Sequence, residues 1–145
     1  MPTEAVLDAS AIVALYTPEE HSEWVRKEVD GYASFHALDL TFYEAANALW
    51  KKFRVLKELR ETELKEALQG IWRFMDGLCL IHPYKEVREE SLIISIKYAL
   101  TIYDSSYLAL AKSLNVKLVT IDVKLYEKLK GTPLHKIVIC PPAPD

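Results

Sequence analysis

The chain has 145 residues, room for one domain with a sizeable core, and its 50% hydrophobic and 27% charged residues are those of a globular protein in water. A net charge of -3 neither announces nor excludes nucleic acid, because binding depends on where the 18 Lys and Arg lie. No apolar run approaches the roughly 20 residues that span a bilayer, and Met1-Pro2-Thr3-Glu4 carries no basic leader, so a cytoplasmic protein without a membrane segment is expected.

In chain order, Ala5 to Leu7 reads as a first strand with Asp8 at its end, and Ser10 to Tyr16 as a short apolar helix. Thr17-Pro18-Glu19-Glu20 predicts the start of a second helix, with a cap residue, a proline at the first position and acids in the first turn; Gly31 breaks it. Tyr32 to His36 follow as a second strand. A long helix is expected from about Thr41 to Leu59, carrying Glu44, and another from about Thr62 to Met75 with Leu64, Ala67, Leu68, Ile71, Trp72 and Met75 on one stripe. These two would form a hairpin.

Cys79 to His82 is a third strand stopped by Pro83, and Glu86 to Ala99 a further helix. Asp104 opens the next, with Tyr107, Leu108, Ala111 and Leu114 at helical spacing and Asn115 as its stop; Lys117 to Thr120 is then a buried strand that delivers Asp122. Lys124 to Lys130 forms a last helix ending at Gly131, and Lys136 to Ile139 a fifth strand. Five strands alternating with helices predict an α/β fold with a parallel sheet, as one domain over residues 1–145. Cys79 and Cys140, each flanked by aliphatic residues, are expected to be separate buried thiols.

The chemistry rests on Asp8, Glu44, Asp104 and Asp122. Each has a plain structural reading: an acid before a helix is an N-cap, and Thr41 to Glu44 and Thr101 to Asp104 both resemble capping boxes. Capping does not explain the set. In a parallel sheet, ligands sit beyond the carboxyl ends of the strands, and the chain has only seven aspartates, of which three fall at boundaries that this fold could bring there. Two like charges about 4 Å apart repel by about 4 kcal/mol at an effective dielectric near 20, so converging carboxylates would raise their pKa values or hold a cation. All-oxygen donors favour a hard ion, Mg²⁺ or Mn²⁺. The hydroxyls of Ser10, Ser105 and Thr120, each within two residues of an acid, could support the ligands.

Four blocks in this order carry a family resemblance: Leu7-Asp8-Ala9-Ser10-Ala11, Glu44-Ala45-Ala46-Asn47-Ala48-Leu49, Tyr103-Asp104-Ser105-Ser106-Tyr107-Leu108-Ala109-Leu110-Ala111, and Thr120-Ile121-Asp122. The chain resembles the PIN-domain ribonucleases, in particular the VapC toxins of toxin–antitoxin pairs. The resemblance implies a three-layer fold around five parallel strands in the order 3-2-1-4-5, an acidic Mg²⁺ or Mn²⁺ site, and endonucleolytic cleavage of RNA. Asp8, Glu44 and Asp104 fall on the three core acids, Asp122 on a fourth, more variable one, and Ser10 on the hydroxyl position after the first.

RNA needs phosphate contacts beyond the metal, and Lys51, Lys52, Arg54 and Lys57 form a basic run after Glu44, which is otherwise a solvated helix face. The resemblance further implies an antitoxin partner and a homodimer, for which the helix-hairpin stripe with Trp50 and Phe53 is the expected surface. The alternative within the fold is a nucleic-acid-binding or RNA-processing module without a toxin role. A phosphoacceptor receiver domain would need an aspartate after the third strand, where Leu80-Ile81-His82-Pro83 supplies none.

Overall fold

The computed structural model describes residues 3–143. β1 (Glu4–Leu7) is the central strand, paired in parallel with β2 (Ser34–Leu38) on one side and β4 (Lys117–Val119) on the other. β3 (Cys79–His82) and β5 (Val138–Ile139) form the edges, giving the expected order 3-2-1-4-5 with all pairs parallel. Strand alternation splits the core in two. Ala5, Leu7, Phe35, Ala37 and Val119 face one layer, built by α1 (Ala9–Tyr16), α2 (Ser22–Val29), α3 (Asp39–Arg54) and α4 (Glu61–Leu78). Val6, Leu38, Leu118 and Val138 face the other, built by α5 (Arg88–Tyr98), α6 (Ile102–Leu114) and α7 (Val123–Lys128).

Several boundaries differ from the sequence expectation, each for a visible reason. Thr17 does not cap α2: its hydroxyl donates to the Val13 carbonyl at 3.1 Å and closes α1 instead. Ser22 then accepts from the Glu19 amide at 2.9 Å and donates to the Thr17 carbonyl at 3.0 Å, so Pro18 lies in a stitched turn and α2 begins only at Ser22. β2 runs from Ser34 to Leu38 because Tyr32 is still tied to the end of α2 by a 3.1 Å bond to the Val29 carbonyl. α3 ends at Arg54, short of Leu59, where the chain turns through Lys57 at φ 55°. The helix before α6 starts at Arg88 after a 3₁₀ turn over Tyr84–Glu86, and the last strand is shortened by another over His135–Ile137. Asn115, at φ 56°, stops α6 as expected.

The apolar stripe of α4 is spent inside the chain. Ile71 and Met75 are fully buried, and Leu64 and Leu68 pack against the same core; Gly70 lets α4 approach α1, since a Cβ there would stand 2.8 Å from the Tyr16 ring. Of the expected interface only Trp50 and Trp72 are exposed, and exposed aliphatic side chains lie on α5, at Leu92, Ile93 and Ile96, and at Val55, Leu56 and Leu78. On the α5 side of the sheet a polar seam crosses the strands: Glu4 Oε1 to His36 Nε2 at 2.8 Å, His36 Nδ1 to His82 Nε2 at 2.9 Å, and His82 Nδ1 to Glu86 Oε2 at 2.8 Å. Cys79 and Cys140 are unpaired and half-buried near opposite edges of the sheet, and burial pushes their thiols up to about 12 and about 11. Among the described residues no helix is long and apolar enough to cross a membrane.

Candidate active site at the carboxyl edge of the sheet

Because every strand is parallel, the carboxyl ends of β1, β2 and β4 share one edge, and the segments that follow them carry Asp8, Glu44 and Asp122. α6 leads down into β4, so its N-terminal turn, with Asp104, lies at that edge as well. The topology therefore gathers acids that are more than a hundred residues apart in sequence.

Asp8 is buried and is held by three donors. The Ser10 hydroxyl donates to Oδ1 at 2.7 Å, the Ala11 amide to the same oxygen at 3.0 Å, and the Thr120 hydroxyl to Oδ2. These bonds favour the anion, but burial outweighs them and, with the charge of Asp122 adding, raises the carboxyl from 3.8 to about 6. Thr120 joins two acids: its oxygen also accepts the Asp122 amide at 3.0 Å. Asp122 accepts the Leu125 amide at 3.1 Å, so it caps α7 as Asp8 caps α1.

The capping reading fails for Glu44. Thr41 lies inside α3, where its hydroxyl accepts the Leu38 amide at 3.1 Å, and Glu44 is held instead by the Tyr107 phenol, which donates to Oε1 at 2.7 Å. Thr101 caps α6, accepting the Asp104 amide at 3.1 Å, and its hydroxyl also opposes the rise in the half-buried Asp104 carboxyl. Burial raises the Glu44 carboxyl and the charge of Asp104 adds to it; burial raises Asp104 and the charge of Asp122 adds to that. Each acid thus lies within electrostatic reach of another.

Of the expected supporting hydroxyls, Ser10 and Thr120 bond Asp8, whereas the Ser105 hydroxyl is buried and bonds nothing. The basic run lies toward the far end of α3, roughly 10 to 15 Å along the axis from Glu44 for Lys51 to Arg54. Lys52 is engaged there by Glu19 and Glu58, at 3.5 and 3.6 Å. Lysines nearer the acids were missed in the sequence. Lys124 and Lys128 line a cleft of about 210 Å³ together with Asp104 and Asp122. Tyr107 was also missed as a site residue; its position three after Asp104 puts it one helical turn deeper, which was the available signal.

The donor set fits a hard dication: carboxylate oxygens only, with the carboxyls of Asp8, Glu44 and Asp104 raised by burial and by a neighbouring acid's charge. Among the described residues no group of three or more His, Cys, Asp or Glu stands assembled to hold a metal ion by itself, so water or a substrate phosphate would complete any coordination.

Comparison with known proteins agrees with this arrangement. The PIN-domain family model matches residues 5–130. Ribonuclease VapC3 of Pyrobaculum aerophilum is 44% identical over 123 residues, 85% of this chain and 92% of that protein. Exonuclease VapC9 of the same organism is 36% identical over 134 residues, 90% of each. The crystal structure of PAE2754 from Pyrobaculum aerophilum superposes with a TM-score of 0.61 at 33% identity, over 90% of this chain and 82% of that one. A toxin–antitoxin complex from Klebsiella pneumoniae shares the fold, with a TM-score of 0.62 at 18% identity over 93% and 95%. The strand order, the acids at its carboxyl edge and these matches together establish that the chain belongs to the PIN-domain family, among its VapC-like members.

Proposed function

We propose that the protein is a Mg²⁺- or Mn²⁺-dependent endoribonuclease that cuts RNA by adding water to a phosphodiester, and that it acts as the toxin of a toxin–antitoxin pair. The observation that carries this reading is the coupling of Asp8 to Asp122 through Thr120, beside Glu44 and Asp104, at one edge of a parallel sheet. Asp8 and Asp104 are the first-choice ligands, with Glu44 and Asp122 ligating a second ion or positioning water. A bound dication would supply positive charge to the phosphate and a more acidic water.

The chain's own groups do the rest. Ser10 and Thr120 orient the Asp8 carboxylate, and Tyr107 fixes Glu44 in place to take a proton from the attacking water. Lys124 and Lys128 offer contacts to phosphates on the Asp104 side. The water oxygen bonds to phosphorus, the 3′ oxygen leaves and is protonated, and the products carry 5′ phosphate and 3′ hydroxyl.

The test is cleavage of single-stranded RNA with Mn²⁺ or Mg²⁺, abolished by EDTA and by Asp104→Asn at equal folded protein. A second reading, exonuclease, is favoured by the name of one relative. A circular RNA separates the two, since only an endonuclease cuts it. An antitoxin is the proposed protein partner; a neighbouring small gene whose product binds this chain and blocks cleavage would distinguish the toxin role from RNA processing.

A further inference from the structure

A second cavity, of about 320 Å³, opens on the other side of the α6 N-terminus, floored by Leu38 and Ile102 and walled by Tyr43, Tyr84 and Tyr103. The three rings are 77%, 48% and 57% exposed, unusual for aromatic residues with an apolar pocket beside them. Tyr43 immediately precedes Glu44, and Tyr103 immediately precedes Asp104. The pocket and the lysine-lined cleft share the first turn of α6, the pocket at Ile102, Tyr103 and Ser106 and the cleft at Thr101 and Asp104. A single strand laid across the α6 N-terminus would set a phosphate at the cleft and a base at the tyrosines.

From this juxtaposition we infer that the tyrosine pocket is a nucleobase subsite that selects guanine. Base faces stack on aromatic rings whatever their sequence, so the rings explain binding and the polar lining must explain choice. The charged group in that lining is Asp39. Its carboxylate is held in place, Oδ1 accepting the Leu40 amide at 2.8 Å and Oδ2 the Tyr84 amide at 3.3 Å, and each oxygen keeps a further lone pair. Such a carboxylate accepts and cannot donate. Guanine alone presents two adjacent N–H donors on its Watson–Crick edge. Adenine and cytosine set a ring-nitrogen acceptor beside their amino group, and uracil flanks its one N–H with carbonyls, so each would turn a lone pair toward the carboxylate. An apolar peptide side chain would leave Asp39 unanswered, which is why a base is the better occupant.

This inference rests on the RNA-directed reading above, and its test is a binding measurement made without cleavage. Uridine heptamers with one central guanine, adenine or cytosine would be titrated in EDTA and followed by fluorescence anisotropy. The guanine heptamer should bind at least tenfold more tightly than the other two. Tyr43→Ala and Tyr103→Ala should each weaken it about tenfold, whereas Tyr103→Phe, which keeps the ring, should stay within about twofold. Asp39→Asn should level the three affinities. Equal affinities in the wild type, or Tyr103→Ala binding like the wild type, would overturn the pocket. A protein that prefers guanine but cuts no RNA in Mn²⁺ overturns the nuclease reading and keeps the subsite; one that cuts RNA without preference for guanine does the reverse.

Discussion

The phenol of Tyr107 and the carboxylate of Glu44, 63 positions apart in sequence, are joined by a 2.7 Å hydrogen bond, with the same phenol 2.9 Å from the Thr41 hydroxyl. Tyr107 is 3% exposed, and burial holds its own pKa well above the ordinary 10.0, so at neutral pH it is a fixed donor to Glu44. Removing that donor should free the Glu44 side chain and raise its pKa further, because the bond is what opposes burial. Tyr107→Phe is expected to lower RNA cleavage roughly 10- to 100-fold, as losses of groups that orient metal ligands do, and to cost about 1–2 kcal/mol of stability. Denaturant unfolding and single-turnover cleavage measure the two separately; wild-type cleavage by a folded variant would remove Tyr107 from the site.

Asp8 makes the metal-free protein sensitive to pH. A carboxyl raised from 3.8 to about 6 on folding stabilises the fold fully below the unfolded value, and that contribution is lost as pH rises through the folded one. Relative to Asp8→Asn, wild-type stability in EDTA should therefore fall by up to about 3 kcal/mol between pH 4 and pH 7. Paired denaturant titrations across that range check this. A stability difference that does not change with pH would mean that the Asp8 carboxyl is not raised.

How much of this could be read from the sequence depended on the range of the forces involved. The strands and the parallel sheet followed from alternation, and Asp8, Asp104 and Asp122 from their places at element boundaries, which are local; the strand order came from the family resemblance. Thr17 and Pro18 misled because a good N-cap sequence was taken over by a C-cap bond to Val13 and by the Ser22 turn, alternatives that local propensity does not rank. Asp8 and Asp122 do cap helices while lying at the candidate site, whereas Glu44 caps nothing, because a contact 63 positions away holds it. The α4 stripe showed that a face was buried but not by what. The tyrosine pocket needed three segments to meet, and no spacing signals that.

A dication should stabilise the fold by relieving the repulsion among the acids. At a hundred times its dissociation constant the gain is about 2.7 kcal/mol. Asp104→Asn should lose most of it, while remaining folded, since the Asp104 amide that Thr101 caps is kept. Thermal unfolding with Mn²⁺, Mg²⁺ and EDTA reads this out. An undiminished Mn²⁺ shift in Asp104→Asn would place the ion elsewhere.

The α4 stripe offers the expected homodimer little aliphatic surface, because Ile71 and Met75 are fully buried within the chain and Trp50 and Trp72 are what stays exposed there. A further aliphatic surface lies on α5, where Leu92, Ile93 and Ile96 are 52%, 56% and 75% exposed and share a helical face. Leu80, on the edge strand β3, is 60% exposed on the same side of the sheet. A second copy is the proposed cover, since a two-fold pairing buries one patch against itself and needs no other chemistry. Sedimentation should then show a dimer at micromolar protein, and Ile96→Glu should give a folded monomer, because a buried pair of carboxylates at a two-fold contact is strongly disfavoured. Trp72→Glu, on α4, should leave the dimer intact. A wild-type chain that sediments as a monomer at about 100 µM, weaker than any functional pairing in this affinity range, would end the dimer proposal and leave the α5 face as the first place to look for the antitoxin.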